Sequence, residues 1–321
     1  MASIIVTGGA GFIGYHLSRR LIEHGHTVSV IDSLNPTLYP NDEKMIRLRA
    51  LQEIIGSDSI FSGSISDPTW LELFGHFDLI INCAGIPGLD KSWHFTNEYF
   101  TCNAVDLGIM LNNLMSRSKM VPIIQLSTSS VYGGMAIGAE NQICNPISPY
   151  GVSKLAGENL LATYQNKLEF ECVILRLFSV YGSYQRPDMG IRKFIDSFLD
   201  NRAIQFSGLL NMKRSFTHVD DVTRIITKIA SEILINKNNR NINTFNLGNR
   251  SSYSLSELFQ NLAEISGNKV EIVFNNQRLG DQFETKSDPT KLMQHYGVEP
   301  SIELSQGLLE QFTWQREFNV G

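Results

Sequence analysis

The run Thr7-Gly8-Gly9-Ala10-Gly11-Phe12-Ile13-Gly14 constrains this chain more than any other stretch. It follows Ser3-Ile4-Ile5-Val6, an apolar run of the kind that forms a strand buried on both faces, and it leads into an amphipathic helical pattern reaching about His24. Strand, glycine turn and helix in this order bring backbone close to an anion. Gly8 permits the tight turn, Gly11 the approach of a pyrophosphate and Gly14 the close packing of the helix, while the helix N-terminal amides face the charge. A second apolar run, Thr27 to Ile31, ends in Asp32, a carboxylate placed to accept hydrogen bonds from a ribose diol and to repel a 2′-phosphate. Strand, turn, helix, strand and acid in register specify a dinucleotide site of the NAD type.

Further along, apolar strands at Ser59–Ser62, Phe77–Gly85 and Val121–Leu126 alternate with helical segments, one of them a long helix around Asn103. That alternation predicts an α/β fold with a Rossmann-type doubly wound parallel sheet. Ligands of such a sheet gather at the carboxyl ends of the strands, where Gly8, Asp32, Ala84, Thr128 and Phe178 fall. A strand over Glu171–Leu177 follows, and beyond Tyr181 the alternation loosens. We expect residues 1–176, with roughly 219–247, to form the cofactor domain, and 177–218 with 248–321 a smaller α/β substrate domain.

Composition narrows the partners. No apolar run in the 321 residues approaches the roughly 18 needed to span a membrane, and Met1 leads straight into a strand, so a cytoplasmic protein is expected. The four cysteines, Cys83, Cys102, Cys144 and Cys172, lack metal-ligand spacing and read as reduced, mostly buried residues, with no metal expected. A net charge of −5 argues against nucleic acid. Between Arg186 and Arg214, six basic residues face three acidic ones, a local excess suited to a small polyanion. His16, His24 and His26 read as exposed helix and loop residues, Trp70 and Phe74 as core.

The chemistry concentrates between Ser127 and Lys154. Ser127-Thr128-Ser129-Ser130 closes the strand before it, and Tyr150-Gly151-Val152-Ser153-Lys154 opens a helix. Lys154 then lies one turn from Tyr150 on the same face, where an ammonium favours the phenolate and makes the tyrosine a general base.

With these motifs in order, followed by Arg214-Ser-Phe-Thr-His-Val-Asp-Asp221 and Arg278-Leu-Gly-Asp281, the chain resembles the extended short-chain dehydrogenase/reductases, the NAD-dependent nucleotide-sugar epimerases and dehydratases. The resemblance covers nearly the whole chain and is nearest to UDP-glucuronate 4-epimerases, through Asp32, Leu34 and Asn35, Ser92-Trp93, and Tyr181-Gly182 with Arg186-Pro-Asp-Met189. Dehydratases of the group carry Asp-Glu where Ser129-Ser130 stand, and UDP-glucuronate decarboxylases a glutamate at the Ser130 position. Galactose-type epimerases usually have asparagine where Ser179 stands. Ser64 replaces an adenine-facing aspartate and Lys91 a more usual arginine.

The resemblance implies catalysis by Thr128, Tyr150 and Lys154. It implies NAD contacts from Gly8, Gly11, Phe12, Ile13, Gly14, Asp32, Ser33, Asn35, Ser64, Ile65, Cys83, Ala84, Gly85, Asn103, Ser127, Tyr150, Lys154 and Phe178. Substrate contacts are implied for Gly88, Thr128, Ser129, Ser130, Tyr150, Ser179, Arg186, Arg214, Arg278 and Asp281, with a UDP-sugar as substrate and a homodimer as the assembly. For the arginines the plain alternative is solvated surface charge, and for Ser129 and Ser130 the capping of a strand end. A 4-epimerase of UDP-glucose or UDP-N-acetylglucosamine, a UDP-sugar dehydratase and a non-catalytic NAD-binding sensor or scaffold remain alternative readings.

Overall fold

The computed structural model describes residues 1–236, 239–275 and 280–320. Seven parallel strands form its central sheet, in the order Ile242–Leu247, Cys172–Leu177, Ile123–Thr128, Leu79–Asn82, Ser3–Thr7, Thr27–Asp32 and Ile60–Ser62. Short apolar runs form the inner strands because both faces are covered, and the two-residue period divides each run between two cores. Ile4 and Val6 pack with Leu17 and Leu21 of the helix Phe12–Glu23 and with Val222 and Ile226 of the helix Val219–Ile235. Ile5 and Ile80 face the other way, onto Leu107 and Leu111 of the helix Asp106–Ser116 and Leu161 of the helix Pro149–Leu168.

Strand order reverses at Ser3–Thr7: the next two strands lie to one side of it, and Leu79–Asn82 and its successors to the other. This reversal opens a crevice at the carboxyl ends of Ser3–Thr7 and Leu79–Asn82, where doubly wound sheets bind ligands.

A separate core joins the helices Gly190–Leu199, Leu255–Ser266 and Leu304–Val320 through Ile195, Phe198, Leu258, Leu262, Leu308 and Phe312. A four-stranded sheet, ordered Tyr253–Ser254, Lys213–Arg214, Glu284–Ser287, Met135–Gly138, takes its last strand from the segment that follows the hydroxyl run.

Three expectations change. The long helix around Asn103 is three segments, Thr96–Phe100, a π-helical turn at Thr101–Val105, and Asp106–Ser116. A π turn inserts residues into the helical repeat and occurs often at functional sites. His16 is not an exposed helix residue: its Nε2 donates to the Ser183 carbonyl at 2.8 Å, and burial pushes its pKa down to about 4. Of the four free cysteines only Cys172 is fully buried. Trp70 is buried and Phe74 packs partly against the same core. No described helix is long and apolar enough to cross a membrane.

Candidate active site

The glycine turn is held by the strands beside it. Gly8 N–H donates to the Ile31 carbonyl at 2.7 Å and Gly11 N–H to the Gly8 carbonyl at 3.0 Å. Gly8 has φ +65°, and a Cβ there would meet the backbone of Cys83 and Ala84 at 2.8 Å. At Gly14 a Cβ would stand 2.2 Å from the Gly8 carbonyl oxygen, so only glycine lets the helix begin this close to the turn. Among the described residues no side chain caps the Phe12–Glu23 helix, and no acid lies in its first turn, which leaves its N-terminal amides, Phe12 and Ile13 among them, oriented for an anion. These features suit a pyrophosphate.

Asp32 ends the second strand. Its Oδ2 accepts from Ala10 N–H at 2.9 Å and its Oδ1 from Leu34 N–H at 2.8 Å. Burial pushes this carboxyl's pKa up, while the Leu34 amide bond and the nearby Lys44 act the other way. Each oxygen keeps acceptor capacity for a hydroxyl. Ser33 beside it is exposed, and Asn35 folds back to accept the Thr37 amide at 2.9 Å.

Across the crevice, Thr7 Oγ1 donates to Asn82 and accepts from Ala84 N–H, fixing the Cys83-Ala84-Gly85 turn. Asn103 grips the same loop: its Oδ1 accepts from Ile86 N–H at 2.9 Å, and its Nδ2 donates to the Ile86 carbonyl at 3.0 Å and to Ser153 Oγ at 2.9 Å. Asn103, expected among the cofactor contacts, thereby clamps the loop to the helix of Tyr150 and Lys154.

That helix starts where the sequence places it. Ser148 caps it by accepting the Gly151 amide, and Pro149 occupies its first turn. Lys154 is buried, and its Nζ donates to the Leu126 carbonyl at 2.6 Å. Burial pulls its pKa down to about 8, against the charge of Glu158. The Thr128 hydroxyl acts on the phenol of Tyr150. Burial raises its phenol pKa, and the Thr128 bond and the Arg186 charge lower it. Arg186 is thus a cation that favours the phenolate, while Lys154 has one of its three ammonium donors on the strand-end carbonyl.

Ser127, Thr128, Ser129 and Ser130 are all buried. Thr128 Oγ1 donates to Ser130 Oγ at 3.2 Å and accepts the Ser130 amide, while Ser127 donates to Glu158. Gln282 donates to the carbonyls of Ser129 and Gly133 and so fastens this turn from the opposite side. Arg186 is held by Asp188 through two 2.9 Å bonds. Arg214 donates to the carbonyls of Lys213 and Phe283, and the Asp281 charge opposes the burial that lowers its pKa. Ser179 begins the short strand Ser179–Tyr181, and Gly88 lies in the loop beside the Tyr99 hydroxyl with φ +109°. The Phe178 side chain packs with Val131, Tyr132 and Ala136. Arg278 lies outside the described residues.

The family model for the NAD dependent epimerase/dehydratase family matches residues 4–248. The chain belongs to this family. It is 30% identical, over 97% of its length and 97% of the relative's, to an uncharacterized UDP-glucose epimerase, YtcB, of Bacillus subtilis. A UDP-glucuronate 4-epimerase of Thermodesulfobacterium geofontis is 27% identical, covering 99% of this chain and 97% of that one. Among solved structures, the UDP-glucuronic acid 4-epimerase of Bacillus cereus in complex with UDP-glucuronic acid and NAD superposes with a TM-score of 0.89 at 30% identity, covering 98% and 99% of the two chains. The UDP-glucose 4-epimerase of Thermotoga maritima, solved with UDP-glucose, gives 0.86 at 27%, covering 99% of each.

Several side chains that organise the site of this family member are absent from the motif reading. Glu158 is the chief one, and its place at i+4 from Lys154 and i+8 from Tyr150 on one helix face is the signal that reveals it. Arg176, its buried partner, sits in a strand where a charge demands a counter-ion. Gln282 and Asp106 carry no local signal, because their partners are distant in sequence.

Proposed function

We propose that this chain is an NAD-dependent 4-epimerase of a UDP-sugar, interconverting UDP-glucuronate and UDP-galacturonate. The observation that carries the substrate is the buried run Thr128-Ser129-Ser130, beside Tyr150 and without a carboxylate. Convergent hydroxyls solvate a hexuronate carboxylate that a neighbouring acid would repel. The same lack of an acid removes the side chain that a dehydratase needs for proton transfer at C5.

In this reading the Gly8–Gly14 turn and the helix it starts hold the cofactor pyrophosphate, and Asp32 holds a ribose diol. Ser33, Asn35, Ile65, the Cys83–Gly85 turn, Ser127 and Lys154 complete that side. Bound NAD supplies the acceptor and donor of hydride at the sugar C4. Tyr150, as phenolate, takes the proton of the 4-hydroxyl, and Thr128 orients that hydroxyl and shares the proton. Lys154, fixed at the Leu126 carbonyl, turns its charge toward the nicotinamide side. Once the 4-keto sugar has turned over, Tyr150 returns the proton to the oxygen on the other face. Ser129, Ser130, Ser179 and Arg186 hold the hexuronate, Gly88 leaves room for it, and Arg214, Arg278 and Asp281 hold the uridine diphosphate.

One observation favours a second reading, a neutral UDP-hexose such as UDP-glucose. Asp188 already occupies two nitrogens of Arg186, which lowers its value to a carboxylate. Incubation with UDP-glucuronate and UDP-glucose separately, followed by NMR of the anomeric protons, decides between them. We expect equilibration of the uronate pair and slow or no conversion of UDP-glucose; the reverse result overturns the uronate assignment.

The domain division at residues 176, 218 and 247, a cytoplasmic location and a homodimer belong to the same reading. The dimer is supported by exposed Val105, Ile109 and Val152 on the helices around Asn103 and Lys154. Light scattering at twice the 36.1 kDa chain mass is the expected result.

A further inference from the structure

We propose that Asp106 reads the exocyclic amine of the cofactor adenine, at a position where Ser64 lacks the chemistry to do so. The inference rests on the NAD reading above. With the pyrophosphate at the Gly8–Gly14 turn and a ribose diol at Asp32, the adenine lies beyond the ribose, over the carboxyl end of the next strand, Ile60–Ser62. The loop leaving that strand is tied to the ribose site, since Gly63 N–H donates to the Asp32 carbonyl at 3.0 Å. The base therefore meets the loop of Ser64 and Ile65 and whatever packs against it.

Ser64 Oγ has no capacity left for an amine. Its proton goes to Asp106 Oδ2 at 3.0 Å, and it accepts from the Ser66 amide at 3.2 Å and the Ser66 hydroxyl at 2.8 Å. A hydroxyl has one donor and two acceptor sites, and all three are used. Asp106 is in the opposite condition. It is half-buried at the start of the Asp106–Ser116 helix, no cation pairs with it among the described residues, and no described donor reaches its Oδ1. Asp106 Oδ1 therefore keeps acceptor capacity for an N–H. The adenine amine supplies one, and the buried Ile65 beside Ser64 supplies an apolar wall for the ring.

The helix bearing Asp106 is held in register from the other side of the site. Asn103, one turn earlier and within the π turn, is locked to Ile86 and Ser153. Asp106 is thus presented to the Ser64 loop by the same device that clamps the Cys83–Gly85 turn.

The test exchanges donor and acceptor on both partners. Nicotinamide hypoxanthine dinucleotide carries a carbonyl where NAD carries the amine. In Asp106→Asn, the amide oxygen still accepts from Ser64 while its NH2 replaces Oδ1 as a donor. Dissociation constants of both dinucleotides are measured by calorimetry on the full chain freed of cofactor. Wild-type protein is expected to prefer NAD by about tenfold, and D106N to lose or reverse that preference. D106S, which keeps neither group, is expected to bind both equally, and it serves if D106N does not fold. Equal binding by the wild type, or an unchanged ratio in D106N or D106S, overturns the proposal. Wild-type protein that binds neither dinucleotide overturns the cofactor reading beneath it.

Discussion

Glu158 on the helix Pro149–Leu168 receives Arg176 from the strand Cys172–Leu177, with guanidinium Nη2 2.7 Å from Oε2 and Nε bonded to both carboxylate oxygens. Both side chains are buried, and Glu158 stands one turn beyond Lys154 on the same helix. The pair also takes in Ser127, through Glu158, and Tyr132, whose hydroxyl accepts from Arg176 at 3.0 Å and donates to Asn246 at 2.7 Å. Removing the carboxylate leaves the guanidinium without its counter-ion in the interior. Glu158→Ala is expected to cost about 3 to 5 kcal/mol in urea denaturation. The double variant E158L/R176M is expected to cost clearly less, because no charge is left unpaired. A single variant as stable as the wild type would show that the pair contributes nothing.

Tyr150 gives a kinetic prediction with a definite sign. Burial holds its phenol pKa up, and the Thr128 bond and the Arg186 charge hold it down. Only the phenolate accepts the sugar proton, so turnover rises with pH until the phenol has ionised. Arg186→Met removes a charge that lowers the pKa, and its rising limb should move to higher pH; Thr128→Val should shift it the same way. Tyr150→Phe should lose about 10²- to 10⁴-fold in kcat with an unchanged melting temperature. A wild-type rate in Tyr150→Phe, or an R186M limb displaced to lower pH, contradicts this account.

The parts of this molecule that were legible in the sequence are those governed by local rules. The apolar runs that became the central strands, the glycine turn, Asp32 at a strand end and the Ser148-Pro149 start of the catalytic helix each express a backbone preference within a few residues. What was not legible depends on partners far apart. Lys154 satisfies the one-turn spacing to Tyr150, yet its ammonium goes to the Leu126 carbonyl, a choice made by tertiary packing. Helical periodicity around Asn103 is real, but the π turn that places Asn103 and Asp106 does not alter the apolar pattern. His16 reads as a polar helix position until the Ser183-Tyr184 segment, remote in sequence, closes over it.

Gly14→Ala tests whether the turn is built for close approach. The added methyl would lie 2.2 Å from the Gly8 carbonyl oxygen and 2.8 Å from its carbon, both backbone atoms with no room to move aside. The helix must shift away from the turn, and its amides leave the anion with it. We expect NAD affinity to fall at least about tenfold while the fold, read by circular dichroism, persists. Gly25→Ala is the control. It lies beyond the same helix at φ +81° with nothing within 4 Å of its Cβ, so backbone strain should lower its stability without changing its affinity.

His16 gives the molecule a pH-dependent stability with a predictable window. The ring is packed edge-on against Phe12, Tyr15 and Tyr184, and its Nε2 donates to the Ser183 carbonyl at 2.8 Å. Burial lowers its pKa to about 4; the Ser183 bond and Asp220 oppose that shift, and His218 and Arg19 add to it. The unfolded chain titrates near the ordinary histidine value of about 6.5. Between these two values the unfolded state binds the extra proton, so stability rises with pH. The contribution is complete above pH 6.5 and is lost as pH falls toward 4. A shift of this size corresponds to about 3 kcal/mol over the window. In His16→Phe, which keeps a ring against the same aromatic neighbours, unfolding free energy between pH 4 and 6.5 should depend less steeply on pH than in the wild type. Subtracting the two curves removes the titrations they share and leaves the His16 term. A difference that stays constant across the window would mean that the folded protein carries His16 with an ordinary pKa.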